Sequence, residues 1–386
     1  MPGSETRRFR RSAPGEPLPR QERVDVRPRG LLDFPDAAAA RPVPGTHRQP
    51  HNPVPERPAV PPSSSSPTGR PEPAAPVAVL GECVADAFVI PAPAPAAGQS
   101  IRLEVLPGGG PANTAVALAR LGTPTRFLGR LSADVFGRLF REHLAASKVD
   151  LGAVVPASQP STLAVADLDA EGRADYSFHA EGTADWQWTD RELAKAADGP
   201  MSCLHTGSLA LVRPPGDEAV VRLLERVRSR ATVCVDPNVR PPLVAPAVYR
   251  ERLPRWCAAA DILRLSDDDL GHLLPGLGPE AAADTLHAHG ARLVVITLGA
   301  DGALASLDGL RLRVPARPVT VVDTVGAGDS FTAGLLHALH TGGALGGRLD
   351  GLTTGLLETA LAAGAAVAAE TCAVRGAHPP LTHRLP

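Results

Sequence analysis

One stretch of the chain combines a glycine turn, a carboxylate and a helix start, which together could bind an anion and accept a proton. Gly326, Ala327 and Gly328 follow the β-branched run 319–322, and Asp329 opens a segment with apolar residues at helical spacing. The run predicts a buried strand that ends before the glycines, and the spacing predicts a helix after them. The N–H groups and the dipole at a helix start favour an anion, most often a phosphate.

Asp329 allows two interpretations. In the first turn of the predicted helix, its carboxylate could simply stabilise the helix start by capping it or by opposing the dipole. Alternatively, it is a general base beside a phosphate-binding turn, which would suit transfer of a phosphoryl group to a hydroxyl. Residue type and spacing leave both interpretations open.

A second glycine-rich turn, Gly108 and Gly109 followed by Gly110, precedes Asn113 and a helical pattern over residues 114–121. Glycines let the backbone approach a ligand closely, and an Asn side chain offers both a donor and an acceptor, which suits a hydroxyl group. An ordinary glycine turn with an Asn cap is the alternative.

The composition excludes several classes of protein. The chain has 386 residues and a formal net charge of −2, so neither nucleic acid nor a membrane surface is an expected partner. Its only lysines, Lys148 and Lys195, do not follow a glycine turn, which excludes a P-loop and a protein-kinase site. Phosphate groups must therefore be bound by backbone N–H groups, arginine and metal.

The five cysteines are far apart and form no C-x-x-C pair. This spacing predicts reduced thiols in a cytoplasmic protein, and it argues against a disulfide framework and a structural zinc site. No apolar run reaches the roughly 18 residues that a membrane span needs.

Residues 1–76 differ in composition from the rest of the chain. They hold 18 of the 41 prolines, together with scattered arginines, and show no apolar periodicity. Such a segment cannot bury enough apolar surface to offset its ordering entropy, so we expect a disordered extension. The expected folded domain is residues 77–386.

Within that domain, two kinds of strand pattern occur. From residue 201 onward, continuous apolar runs alternate with helical stretches, which predicts a parallel sheet with helices on both faces and ligands at the carboxyl ends of its strands. Residues 99–106, 162–169 and 173–179 look instead like half-exposed strands. They predict a small separate sheet, a lid within approximately residues 87–107 and 161–182.

At this point the motifs resemble the PfkB carbohydrate kinase family, which has the ribokinase-like fold. DTVGAGDSFTAGLL at residues 323–336 is similar to the carboxy-terminal signature of the family, and GGGPANTAVALARLG at residues 108–122 is similar to its amino-terminal one. The resemblance covers about residues 77–386. It implies an α/β fold, a three-layer α/β/α sandwich with a mainly parallel central sheet and a small β-sheet lid, and ATP-dependent phosphorylation of a sugar hydroxyl.

The resemblance also implies roles for individual residues. Asp329 takes the place of the general base, and Gly326, Ala327 and Gly328 take the place of the anion hole. The residues that match sugar-binding positions are Asp86, Gly108, Gly109 and Asn113. The residues that match the nucleotide-binding T-x-G-x-x-G are Thr297, Gly299 and Gly302.

Two further matches concern ions. The family often carries N-x-x-E near the metal; here the Asn is replaced by Ser266, and Asp269 keeps a carboxylate that could hold a water of the Mg²⁺ accompanying ATP. Asp323 and the backbone at Val325 match, in outline, the site at which some members bind a monovalent cation such as K⁺. Arg264 stands where many members have lysine.

The strings GECVADAFV, HTGS and DPNVRPPL are more similar to fructokinases than to adenosine kinases. The expected function is therefore phosphorylation of fructose, with a kinase for 2-keto-3-deoxygluconate, ribose or a nucleoside as alternatives. A non-catalytic sugar-binding regulatory protein is an alternative of another class. The exposed edge of the lid needs cover, so we expect a homodimer through the lid.

Overall fold

The structure is a computed structural model that describes residues 75–90, 100–168 and 174–381, with side chains described for all of these except 167–168 and 174–176. All described residues belong to one compact unit, Gly69–Pro386. The extension predicted to be disordered, residues 1–76, lies outside the described residues except for residues 75 and 76.

The described residues form fourteen strands and nine α-helices. The strands are β1 (Val77–Leu80), β2 (Val84–Ile90), β3 (Arg102–Gly108), β4 (Thr125–Leu128), β5 (Arg130–Ser132), β6 (Val155–Ala157), β7 (Thr162–Leu168), β8 (Ala174–His179), β9 (Cys203–Gly207), β10 (Thr232–Asp236), β11 (Ile262–Ser266), β12 (Leu293–Thr297), β13 (Ala303–Leu307) and β14 (Leu310–Val314). The helices are α1 (Gly110–Arg120), α2 (Val135–Ala146), α3 (Asp190–Ala196), α4 (Asp217–Val227), α5 (Pro246–Ala259), α6 (Asp267–Leu273), α7 (Pro279–Ala288), α8 (Ala327–Thr341) and α9 (Thr354–Cys372).

An eight-stranded sheet runs through the centre in the order β14-β13-β12-β11-β10-β9-β1-β4. The pairs from β4 to β12 are parallel, and only the hairpin of β13 and β14 adds antiparallel strands at one edge. The mainly parallel sheet predicted from the alternating pattern is therefore confirmed. Its parallel strands place their carboxyl ends along one edge, where ligands bind in such sheets.

Apolar side chains of the sheet pack into two cores, one on each face. In β1, Ala78 and Leu80 belong to one core, whereas Val77 and Val79 belong to the other. The continuous apolar sequence of β1 follows from this burial on both sides. Helices α4, α5 and α7 supply the first core, and α1, α8 and α9 supply the second, so the predicted three-layer α/β/α sandwich forms.

A separate four-stranded sheet, in the order β3-β2-β7-β8, lies where the lid is predicted. Strand β2 pairs antiparallel with β3 and parallel with β7, and β7 pairs antiparallel with β8. Residues 102–104 of β3 are exposed, whereas Gly108 at its end is buried. Strand β3 therefore runs from its exposed start to the glycine turn that precedes α1.

The strand predicted over residues 319–322 does not form, and the expectation that a last strand ends at Asp323 is wrong. The last strand ends at Val314, and residues 315–320 have no regular structure. Val321 and Val322 are 59% and 60% exposed, and the N–H of Val322 bonds to the carbonyl of Cys372 rather than to a strand. β-branched residues favour strands, but no strand in the described part of the chain pairs with them.

Among the described helices, none has the length and apolar character needed to cross a membrane.

Candidate active site

The turn before α8 has the geometry that an anion hole requires. Gly326 adopts a left-handed conformation, with φ 75° and ψ 4°, and a Cβ there would lie 2.7 Å from the Cβ of Ala377. Glycine is therefore the residue that this turn needs. Helix α8 begins at Ala327, and the first N–H groups of a helix have no partner within the helix. Gly328 supplies one of these N–H groups at the positive end of the helix dipole.

Asp329 lies in the first turn of α8, but its side chain does not cap that helix. Helix α8 has no side-chain cap hydrogen bond, and the Asp329 carboxylate instead accepts a hydrogen bond from Nδ2 of Asn113, with Oδ2 at 2.9 Å. The two glycine motifs, which are 216 residues apart, therefore meet at this carboxylate. This contact favours the general-base interpretation over the capping one.

The pKa of Asp329 is raised from 3.8 to about 6. Desolvation is the main cause; the nearby Asp236 also raises the pKa, while Asn113 and the positive charges of Arg240 and Arg264 lower it. A carboxylate with this pKa is ionised at neutral pH and is a stronger base than an ordinary aspartate, as a general base should be.

Two of the predicted sugar-binding residues, Asp86 and Gly108, lie against each other on β2 and β3. A Cβ at position 108 would overlap the carboxylate of Asp86, so a larger residue there would displace that carboxylate. Burial raises the pKa of Asp86 to about 6. The pair places a desolvated carboxylate beside the backbone of a glycine, which suits the paired donors and acceptors of a polyhydroxyl ligand.

The glycine turn before α1 contains a close approach that the sequence interpretation missed. A Cβ at Gly110 would lie 3.1 Å from Oδ1 of Asp329 and 3.0 Å from Nδ2 of Asn238. Gly109 has φ 103°, and a Cβ there would lie 2.6 Å from the carbonyl oxygen of Glu82. Gly110 thus lies against both Asn238 and Asp329; the sequence signals for this contact are the third glycine of the motif and the polar residues that follow β10.

A cavity of about 560 Å³ lies beside the start of α8. All three residues predicted to bind nucleotide line it, together with Ala327 and Gly328 of the predicted anion hole and small apolar residues of α9. Its lining includes Thr297, Gly299, Gly302, Arg317, Val319, Val321, Ala327, Gly328, Ala365, Ala368 and Ala369. Two exposed valines of the irregular segment 315–322, Val319 and Val321, therefore face a space that a nucleotide base could fill.

Arg264 also lines this cavity, and its side chain is buried. Strands β10 and β11 pair in parallel with Val235 opposite Leu263, so Asp236 and Arg264 follow side by side. Nη1 of Arg264 donates to Oδ2 of Asp236 at 2.8 Å, and Nη2 donates to Oγ1 of Thr297 at 2.7 Å. The guanidinium of Arg264 is therefore a buried cation in the wall of this cavity.

Asp269, the predicted Mg²⁺ position, accepts hydrogen bonds from neighbouring residues at both of its carboxylate oxygens. Its Oδ1 accepts a hydrogen bond from the N–H of Val239 at 2.7 Å, and its Oδ2 accepts from the N–H and Oγ of Ser266 at 2.9 and 2.7 Å. With Ser266 it forms a capping box at the start of α6. The structure thus gives Asp269 a structural role, and its contact with a metal-bound water stays a prediction.

Asp323, the predicted monovalent-cation position, joins two loops. Its Oδ1 accepts a hydrogen bond from the N–H of Val325 at 3.0 Å, and its Oδ2 accepts from the N–H of Gly376 at 2.8 Å. The carboxylate therefore holds the segment before α8 against the segment after α9, next to the anion hole.

Comparison with known proteins agrees with this geometry. A family model described as pfkB family carbohydrate kinase matches residues 74–384. A fructokinase from Rhizobium leguminosarum bv. trifolii is 41% identical over 234 residues, which cover 60% of this chain and 71% of that protein.

Two solved structures share the fold. A fructokinase double mutant from Vibrio cholerae O395, in a form with fructose, ADP and potassium ion bound, has a TM-score of 0.68 at 25% identity and covers 80% of this chain and 95% of that one. An aminoimidazole riboside kinase from Salmonella enterica, complexed with aminoimidazole riboside and an ATP analogue, has a TM-score of 0.63 at 28% identity, covering 78% and 94%. The chain belongs to the pfkB family of carbohydrate kinases and is a sugar kinase.

Proposed function

We propose that this kinase transfers the γ-phosphoryl group of ATP to a hydroxyl of fructose. The observation that carries the proposal is the position of Asp329, whose carboxylate contacts Asn113 of the first glycine motif and lies one residue after the glycines that open α8. The similarity to fructokinases supports fructose as the acceptor.

In this reaction, Asp329 accepts the proton of the sugar hydroxyl while the hydroxyl oxygen bonds to the γ-phosphorus. The bond from that phosphorus to the bridging oxygen breaks, and ADP leaves. Phosphoryl transfer depends mainly on positioning and on neutralising charge. Backbone N–H groups at Gly326, Ala327 and Gly328 supply fixed dipoles for the migrating group, at the positive end of α8.

Asn113 orients the base, because its amide donates to the carboxylate and fixes the direction of the remaining lone pairs. Asp86, Gly108 and Gly109 bind the other hydroxyls of the sugar. Thr297, Gly299 and Gly302 hold the nucleotide in the cavity that they line.

We assign Mg²⁺ as the companion of ATP, where it would neutralise phosphate charge. Among the described residues, no group of three or more His, Cys, Asp or Glu side chains could hold a metal ion. The ion would therefore rest mainly on phosphate oxygens and water, as Mg²⁺ commonly does in kinases, with Asp269 contacting one of those waters. Asp323 would hold K⁺ with nearby backbone carbonyls, in keeping with the potassium ion in the Vibrio cholerae fructokinase.

Pairing of two copies through the lid is part of the proposal. Ile101, just before β3, and Leu103, near its start, are 77% and 44% exposed, and β3 is an edge of the lid sheet. Light scattering at assay concentration should give a dimer, and a Leu103→Glu variant should give more monomer. A monomer for the unaltered chain would contradict this part.

The cytoplasm remains the expected location. All five cysteines are free, and four of them are buried, which agrees with a reducing compartment.

A coupled ADP-release assay with Mg-ATP tests the acceptor. Fructose, ribose, 2-keto-3-deoxygluconate, adenosine and aminoimidazole riboside should be compared; the last is included because a structural neighbour binds it. Fructose should give the highest kcat/KM. A higher value for a riboside would replace fructose with a nucleoside-like acceptor, and binding without ADP release would indicate a regulatory protein.

A further inference from the structure

We propose that Asp185 is a positioning residue for the sugar. Its buried carboxylate fixes the start of the lid sheet against the central α/β/α sandwich, and so sets where Asp86 and the first glycine turn meet the bound sugar. The inference rests on the proposed function, because it takes Asp86, Gly108 and Gly109 as the residues that bind the sugar. It adds a residue that neither glycine motif contains.

The contacts of Asp185 join two chain segments at the point where both enter the lid sheet. Its Oδ1 accepts a hydrogen bond from the N–H of Cys83 at 3.0 Å, and its Oδ2 accepts one from Oγ1 of Thr162 at 2.6 Å. Cys83 directly precedes β2, and Thr162 is the first residue of β7. Because β2 and β7 pair with Val84 opposite Thr162, the carboxylate bridges the ends of two neighbouring lid strands.

Asp185 itself belongs to the sandwich rather than to the lid sheet. It lies in a 3₁₀ turn, Ala184–Trp186, and all three residues of that turn are buried. Trp186 is 1% exposed and packs in the core on one face of the central sheet, and its Nε1 donates to the carbonyl of Ala180 at 3.0 Å. The carboxylate is therefore presented from a tightly packed element, which a positioning group requires.

The segment that Asp185 fixes lies next to the predicted sugar-binding residues. Asp86 follows Cys83 by three residues and lies on β2. A Cβ placed on Gly109 would lie 3.2 Å from Cα of Cys83, so the glycine turn packs directly against the residue whose N–H Asp185 accepts. A shift of Cys83 would therefore move both parts of the sugar site relative to Asp329, and a misplacement of about 1 Å can cost about 10²-fold in rate.

The burial of Asp185 favours this role over simple packing. The residue is 3% exposed, and no ion pair within residues 75–90, 100–168 and 174–381 includes it. A buried carboxylate without a cation is unfavourable, so an apolar residue would fill the space at lower cost. A charged acceptor, however, forms stronger hydrogen bonds than a neutral one, which suits a group that holds two strands in place.

The charge state of Asp185 agrees with such bonds. Burial raises the pKa of Asp185 to about 6, while the hydrogen bonds from Thr162 and Cys83 lower it. The carboxylate is therefore ionised at neutral pH and can accept from both donors at once.

The test uses two disruptive variants, one conservative variant and one control. Asp185→Asn keeps the size of the side chain and one acceptor oxygen but removes the charge. Thr162→Val removes the hydroxyl donor, whereas Thr162→Ser keeps it. Asp261→Asn is the control, because Asp261 is also buried, at 0% exposed, and accepts a hydrogen bond from the N–H of Val233 at 2.8 Å, but it directly precedes β11 of the central sheet.

Steady-state kinetics use Mg-ATP and the sugar that gives the unaltered protein its highest kcat/KM. Asp185→Asn and Thr162→Val should lower kcat/KM for that sugar by about 10²-fold, the cost of a misplacement of about 1 Å. The KM for ATP should stay unchanged, because no lid residue is among those that line the nucleotide cavity. Thr162→Ser and Asp261→Asn should keep the kinetics of the unaltered protein, although Asp261→Asn should lose stability.

Hydrogen exchange over residues 82–90 reports on the same contact without turnover. Exchange there should be faster in Asp185→Asn than in Asp261→Asn, because the N–H of Cys83 loses its ionised acceptor. Should Asp185→Asn fail to fold, the two Thr162 variants decide.

Three results would overturn the role of Asp185: equal losses for the sugar and for ATP, a folded Asp185→Asn protein with unchanged kinetics, or equal losses in Thr162→Ser and Thr162→Val. Failure of the unaltered protein to phosphorylate any sugar would instead overturn the proposed function, and the exchange measurement would still show whether the contact exists.

Discussion

Replacing Asp329 by asparagine should make the protein more stable and nearly inactive at the same time. The substitution keeps the size of the side chain and an oxygen that can accept the hydrogen bond from Asn113, but it removes the charge. A group that is ionised although partly buried costs folding free energy. If Asp329 serves only as a catalytic base, removing its charge should therefore stabilise the folded state.

The size of this effect follows from the pKa. The pKa of Asp329 rises from 3.8 to about 6 on folding, and one pKa unit corresponds to about 1.4 kcal/mol, so the ionised carboxylate costs at most about 3 kcal/mol. Asp329 as a whole residue is only half-buried, which makes this value an upper bound. The folded state binds the proton more tightly, so the cost is absent below about pH 4 and complete above about pH 6.

Urea denaturation of both proteins between pH 4 and pH 8 measures this difference. Asp329→Asn should gain stability progressively as the pH rises through that range, while kcat falls by about 10²–10⁴, the usual contribution of a general base. The exposed Asp268, replaced by asparagine, serves as the control and should change stability by less than about 0.5 kcal/mol. An Asp329→Asn protein that is less stable at pH 8, or that keeps its turnover, would refute the reasoning.

Three further predictions concern pH, sugar binding and the metal. The kcat/KM of the unaltered enzyme should fall as the pH drops through about 6, because Asp329 becomes protonated there; a flat profile down to pH 5 would contradict this. Gly108→Ala should raise the KM for the sugar, since its Cβ would overlap the Asp86 carboxylate, whereas Gly271→Ala, which has nothing within 4 Å, should not. Removing divalent ions with EDTA should abolish turnover and Mg²⁺ should restore it; activity that persists in EDTA would exclude the metal.

Much of the fold could be predicted because each parallel strand is a short apolar run that is followed by polar residues or glycine. Burial on both faces requires such a run, as β1 shows, and the alternation with helices then determines a parallel sheet. The meeting of Asn113 with Asp329 does not follow from this pattern, because α1 follows a strand of the lid sheet and α8 follows an irregular segment.

The irregular segment 315–322 could not be predicted in the same way. Its valines have strand propensity, but propensity does not report whether apolar side chains pack against a strand or line a ligand cavity. Val319 and Val321 do the latter. Similarly, the ion pair between Arg264 and Asp236 depends on the register of β10 against β11. The sequence shows an arginine in a strand but not its partner.

The central claim is that one carboxylate deprotonates the sugar while the start of α8 binds the transferred phosphate. A crystal structure with fructose and a non-hydrolysable ATP analogue tests it most directly. We expect the γ-phosphate at the N–H groups of Gly326–Gly328 and one sugar hydroxyl within about 2.6–3.2 Å of the Asp329 carboxylate. A nucleotide bound away from α8, or a sugar with no hydroxyl near Asp329, would contradict the account.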